Sequence, residues 1–186
     1  LNFSTQRTEE NDADLTTIFS RLSQGWGIEL GEPIPVLLVY TRGEDEGLHL
    51  SGGAIGRLLS LEMGGTDLSE PIADIRTYVR WFIAHEAAHV FQQERGNVAV
   101  LSSDNGRHAW VHEGSANTFS YEIGARLSDD PTSFLKEVYE AEYKDCIAHL
   151  NQTALVEARA MGNFRAYYAC GDLIALATDA MLPKHD

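Results

Sequence analysis

The chain has 186 residues, 44% of them hydrophobic, and a formal net charge of −14 from 14 basic and 28 acidic side chains. That length fits one ordinary domain with a real core, and the composition excludes a disordered chain. No Lys/Arg stripe interrupts the acidity, which excludes nucleic acid as a partner, and no apolar run approaches the roughly 20 residues that span a bilayer.

In chain order, residues 12–23 place Leu15, Ile18, Phe19 and Leu22 on one helical face. "GWGIELGEPIP" breaks that helix, and "VLLVY" (36–40) reads as a buried strand. "TRGEDEGLHLSGGAIG" reads as a glycine-rich acidic connection, followed by a second strand "RLLSLEM" (57–63) that Gly64 and Gly65 end. Ser69 with Pro71 marks a helix start, and Ile72, Ile75, Val79, Phe82, Ile83 and Val90 continue the apolar series to Gly96. After a polar loop a helix is expected over Ala109–Leu127. Asp130 and Pro131 form a cap and first-turn pair for another helix to about Leu150, and a last helix fits 164–182. Strands early and helices late predict an α+β fold, with a strand-bearing N-lobe (1–96), a helical C-lobe (97–186) and the long helix between them. Cys146 and Cys170 form no CxxC; one disulfide or two core thiols both fit.

The chemistry concentrates in "WFIAHEAAHV" (81–90), where three ionisable groups lie in an apolar run. Buried polar groups of this kind are costly unless something binds them. His85 and His89 are about 40° apart around a helix and about 6 Å along it, so both imidazoles reach one ion. Glu86, roughly 100° round, is placed to act on a water rather than to ligate. This is the HExxH pattern; from this chain's composition it arises by chance in roughly two sequences in a hundred, so it needs a third ligand for support. "HVFQQER" puts Gln92 and Arg95 where a metzincin needs Gly and His, which excludes that class, and the inverted HxxEH order is absent. "RHAWVHEGSANTFSYE" (107–122) then offers His108, His112 and Glu113. No metal role is expected of His49, His108, His149 or His185.

"WVHEGSA" (110–116) resembles the second-helix motif of gluzincin peptidases, especially the aminopeptidase N and glycyl aminopeptidase branches. The resemblance makes Glu113 the third ligand, with His112 where that family usually has Asn. A second echo is Tyr168-Ala-Cys170-Gly171, similar to the family's Tyr-x-x-Gly, and it implies that Tyr168 donates to the oxyanion; Cys170 replaces the common lysine. By the same resemblance Asn117, one turn after Glu113, would support a ligating histidine through its amide oxygen. The likeness runs from about Leu58 to Leu176 but is specific in three short islands. The connection from His89 to Glu113 is longer than usual. The Gly-x-Met-Glu-Asn stretch that holds a substrate's amino terminus is absent; "LSLEMGG" takes its place, with Glu62 read as a surface group on an edge strand.

These readings converge on an expectation: a small zincin-like metallopeptidase binding one zinc ion through His85, His89 and Glu113, with Glu86 as general base and Tyr168 as oxyanion donor. Its partner is a peptide or protein substrate, which "RLLSLEM" binds as an added strand. A catalytically silent zinc- or peptide-binding module, or a zinc hydrolase of a non-peptide bond, are the alternatives. The polar, trimmed-looking start leans toward a secreted or periplasmic protein; oligomeric state is not legible.

Overall fold

The computed structural model describes residues 5–41, 48–65, 72–96, 106–150 and 153–182. The fold is α+β, a small mixed sheet near the N-terminus followed by a helical lobe. In chain order come α1 (Thr5–Trp26), β1 (Val36–Thr41), β2 (Leu48–Ile55), β3 (Leu58–Gly65), α2 (Ile72–Glu94), α3 (Ala109–Arg126), α4 (Pro131–Leu150), a 3-10 turn at Leu155–Glu157, and α5 (Phe164–Met181). No described helix is long and apolar enough to cross a membrane. The chain divides into two compact units, Leu1–Phe91 and Gln92–Asp186, with the boundary inside α2.

In the first unit the strand order is β1-β3-β2, with β1 parallel and β2 antiparallel to β3. Three expectations change here. The stretch 48–55, read as connection, is strand β2; its two interior glycines hide the strand signal, and Gly56 at φ 59° makes the tight turn into β3. "VLLVY" is an outer strand, not a buried one: Val36, Leu37 and Val39 are 46%, 50% and 40% exposed. Conversely β3 is the central strand, so Glu62 is exposed on a face, not at an edge, and "RLLSLEM" has both sets of main-chain groups already paired. A substrate cannot add to it.

The core of this unit follows the sequence pattern. Leu59 and Leu61 alternate inward from β3, and Ile18 and Leu22 come from the predicted face of α1. From α2 come Phe82, Ala84, Ala87, Ala88, Val90 and Phe91. Gly52 of β2 lets the sheet approach this helix: a β-carbon there would lie 2.8 Å from Cζ of Phe82 and 2.8 Å from the Ser60 carbonyl. Arg80 of α2 forks onto Asp14 of α1, with Nη2–Oδ1 at 2.6 Å and Nε–Oδ2 at 2.8 Å. The Ser69–Pro71 helix start lies outside the described residues.

In the second unit two helices open on side-chain caps, the first of them at the Asp130–Pro131 start the sequence marks. Asp130 Oδ1 accepts from Ser133 N at 3.1 Å to open α4, and Asn163 Oδ1 accepts from Ala166 N at 3.4 Å to open α5. Cys146 of α4 and Cys170 of α5 form a disulfide, which decides what the sequence left open. The closest approach is α3 on α5. A β-carbon on Gly114 would lie 2.1 Å from the Gly171 carbonyl carbon, and one on Gly171 would lie 2.1 Å from the Trp110 carbonyl oxygen. Only glycine at both positions permits this crossing.

Candidate metal centre

From Ala84 to Gln92 every residue of helix α2 is buried. His85, Glu86 and His89 are 5%, 7% and 6% exposed, so the ionisable trio does lie in the interior. A ladder of rings leads along the helix: Tyr78 stacks on Trp81 at 5.4 Å, Trp81 tilts against His85 at 5.9 Å, and His85 meets His89 edge-on at 4.8 Å. The spacings of three and four residues place these rings on one stripe. The two imidazole Nε2 atoms end 3.2 Å apart.

Ligand atoms of His85, His89 and Glu113 all lie within 4.8 Å of one another, a group that could hold a metal ion. The donor set fits zinc. Ligands about 2.0–2.1 Å from a tetrahedral ion stand roughly 3.3 Å from each other, close to the separation of the two imidazoles. Two neutral nitrogens and one carboxylate are donors that zinc accepts, and three protein ligands leave one position open.

Glu113 lies in the first turns of α3, whose neighbours are fixed by the glycine crossing with α5 and by two side-chain anchors. Gln92, in the last turn of α2, donates from Nε2 to the His112 carbonyl at 2.8 Å and to Ser115 Oγ at 2.9 Å. Thr118 Oγ1 donates to Asp172 Oδ1 of α5 at 2.7 Å. Asp172 is fully buried, and its Oδ2 has no hydrogen-bond partner among the described residues. Burial pushes its carboxyl up to about 7, the Thr118 hydrogen bond pulls the other way, and Glu142 adds a little to the rise. Glu142 is itself raised by burial, against the Tyr121 hydroxyl that donates to it.

Tyr168 is half-buried on α5, its ring stacked on Tyr167 with centroids 4.8 Å apart. Tyr167 is the more buried of the two. Its phenol is raised first by burial and then by the Glu113 carboxylate, while Arg159 and a hydrogen bond with Tyr168 lower it. The tyrosine pair and Glu113 therefore share one electrostatic environment. Asn117 is buried, yet its Oδ1 has no partner among the described residues, so the expected support of a histidine N–H is not made. His49 and Glu62 lie exposed on strands, and His108 and His149 are half-buried outside the cluster.

Sequence reasoning passed over Gln92, Gly114, Gly171 and Asp172 as contributors. Gln92 carried a signal, since it continues the 85–89 stripe at the seventh position. The glycines did as well: Gly114 lies within "WVHEGSA", Gly171 ends "YACG", and each is the other's contact. Comparison with protein-family models, with curated proteins and with solved structures gives no match.

Proposed function

We propose that residues 1–186 form one gluzincin-type zinc metallopeptidase domain that hydrolyses peptide bonds. One observation carries the reading: two imidazoles from one helical stripe and the Glu113 carboxylate offer ligand atoms within 4.8 Å of one another, with Glu86 buried on the same helix. His85, His89 and Glu113 would hold the ion. Zinc supplies a Lewis acid there, and a water acidic enough to ionise near neutral pH.

Glu86 takes the proton from the attacking water and passes it to the departing amine, so the C–N bond breaks to give a carboxylate and a free amine. Tyr168 donates its hydroxyl to the carbonyl oxygen as charge gathers there. The central strand being closed to it, an extended substrate would pair with the outer edge of β2, which Gly52 brings down on Phe82 one turn before Glu86. The Cys146–Cys170 bridge fits an oxidising compartment, secreted or periplasmic.

The test is a zinc assay on the purified chain, then digestion of a peptide library by wild type and Glu86→Gln. The expected outcome is one zinc per chain in both, cleavage by wild type, and a loss of at least about 100-fold in the variant. Zinc without cleavage would mark a binding module, cleavage of only non-peptide esters or amides a different hydrolase, and a fully active Glu86→Gln would remove Glu86 from the chemistry.

A further inference from the structure

We propose that Gln92 is a positioning residue that sets the metal affinity of the centre by clamping Glu113 to the two histidines. This rests on the metal-site reading above. Gln92 follows His89 by three residues and His85 by seven, so it lies within about 20° of the His85 direction on α2, roughly two turns along. It is 3% exposed. A buried amide at a position where Leu or Met would fill the space is costly unless its polar atoms are paired.

They are paired in a specific place. The amide nitrogen has two hydrogens, and it gives them to the His112 carbonyl and the Ser115 hydroxyl, the residues that bracket Glu113. Ser115 Oγ is in turn aimed by its own donation to the Val111 carbonyl at 2.7 Å. One side chain on the helix that carries both imidazoles thus grips the turn that carries the carboxylate. The ligand set does not depend on the ion to bring Glu113 into place. Side chains that orient ligands in this way typically change metal affinity about 10–100-fold when removed.

The experiment uses the full chain as wild type, Gln92→Met, Gln92→Leu, Ser115→Ala and Glu113→Gln. Zinc affinity is read by competition with a chromophoric chelator, ligand geometry by the visible spectrum of the cobalt form, and folding by the melting temperature of the metal-free chain. The expected result is a roughly 10–100-fold weaker zinc affinity and an altered cobalt spectrum for the Gln92 variants, at a nearly unchanged metal-free melting temperature. Ser115→Ala, which removes one of the two acceptors, should lose several-fold; it decides the matter if the Gln92 variants do not fold. A folded Gln92→Met with wild-type affinity and spectrum, or an unaffected Ser115→Ala in the absence of folded Gln92 variants, overturns the clamp while leaving the metal site standing. A wild type that takes up no zinc, or a Glu113→Gln that binds as tightly as wild type, overturns the metal site and the clamp together.

Discussion

The HExxH turns of α2 and the α3–α5 crossing hold functional groups by opposite means. In α2 the relation of His85 to His89 follows from 3.6 residues per turn, and any intact helix reproduces it. At the crossing, the relation of Glu113 to Tyr168 has no local origin. It depends on two glycines in backbone contact and a Thr118–Asp172 hydrogen bond, while the Cys146–Cys170 bridge ties α5 to α4. The contrast separates two candidate ligands whose relation tolerates surrounding change from a candidate third ligand and a nearby tyrosine whose relation does not.

The sharpest way to break the crossing without touching α2 is Gly114→Ala. Its new methyl would meet α5 backbone, which cannot rotate away, so we expect a destabilisation on the order of 4 kcal/mol or more. Urea unfolding of the metal-free chain measures it; a loss under about 1 kcal/mol would mean that the helices are not in contact there.

A smaller effect comes from Asp172. Its folded pKa of about 7 lies above the ordinary value near 3.8, so the folded state binds the proton more tightly. Stability from this group is fully present below about pH 4 and is lost as pH rises through about 7. Between pH 5 and pH 8 wild type should lose about 2–3 kcal/mol more than Asp172→Asn, which keeps the size and the Thr118 acceptor but does not titrate. Equal pH slopes for the two proteins would show that the carboxyl is better solvated than its burial indicates.

The smallest effect probes the first unit. Gly52→Ala puts a methyl against Phe82 and the Ser60 carbonyl, at a cost of about 1–3 kcal/mol. If the sheet holds a substrate against α2, peptide cleavage by the folded variant should fall mainly through KM. An unchanged KM would move the substrate away from β2.

Helices were legible because their signals are local. The apolar period from Ile72, the Asp130–Pro131 start and the glycine after α2 each act within a turn or two, and the limits of α2 and α4 follow them. The sheet was less legible. An apolar run such as "VLLVY" suits a covered strand and an outer one equally, because its neighbours decide, and "LHLSGGAI" has too few branched side chains to announce a strand. In the site, His85, Glu86 and His89 were readable from spacing. Glu113 was readable only through the residues flanking it; Gln92 served only to exclude a metzincin and Asp172 was not singled out, since their meaning lies in partners distant along the chain.

What the sequence by itself determined is the helical stripe with two imidazoles and the adjacent Glu86 carboxylate, since rise and twist per residue fix their spacing whatever packs around them. Tertiary structure alone decided which strand is central, that the two cysteines pair, and that a carboxylate comes within ligand distance of both imidazoles. Those relations join residues whose separation along the chain sets no distance in space, so only the packed interior, with its glycine contact and buried amide, could specify them.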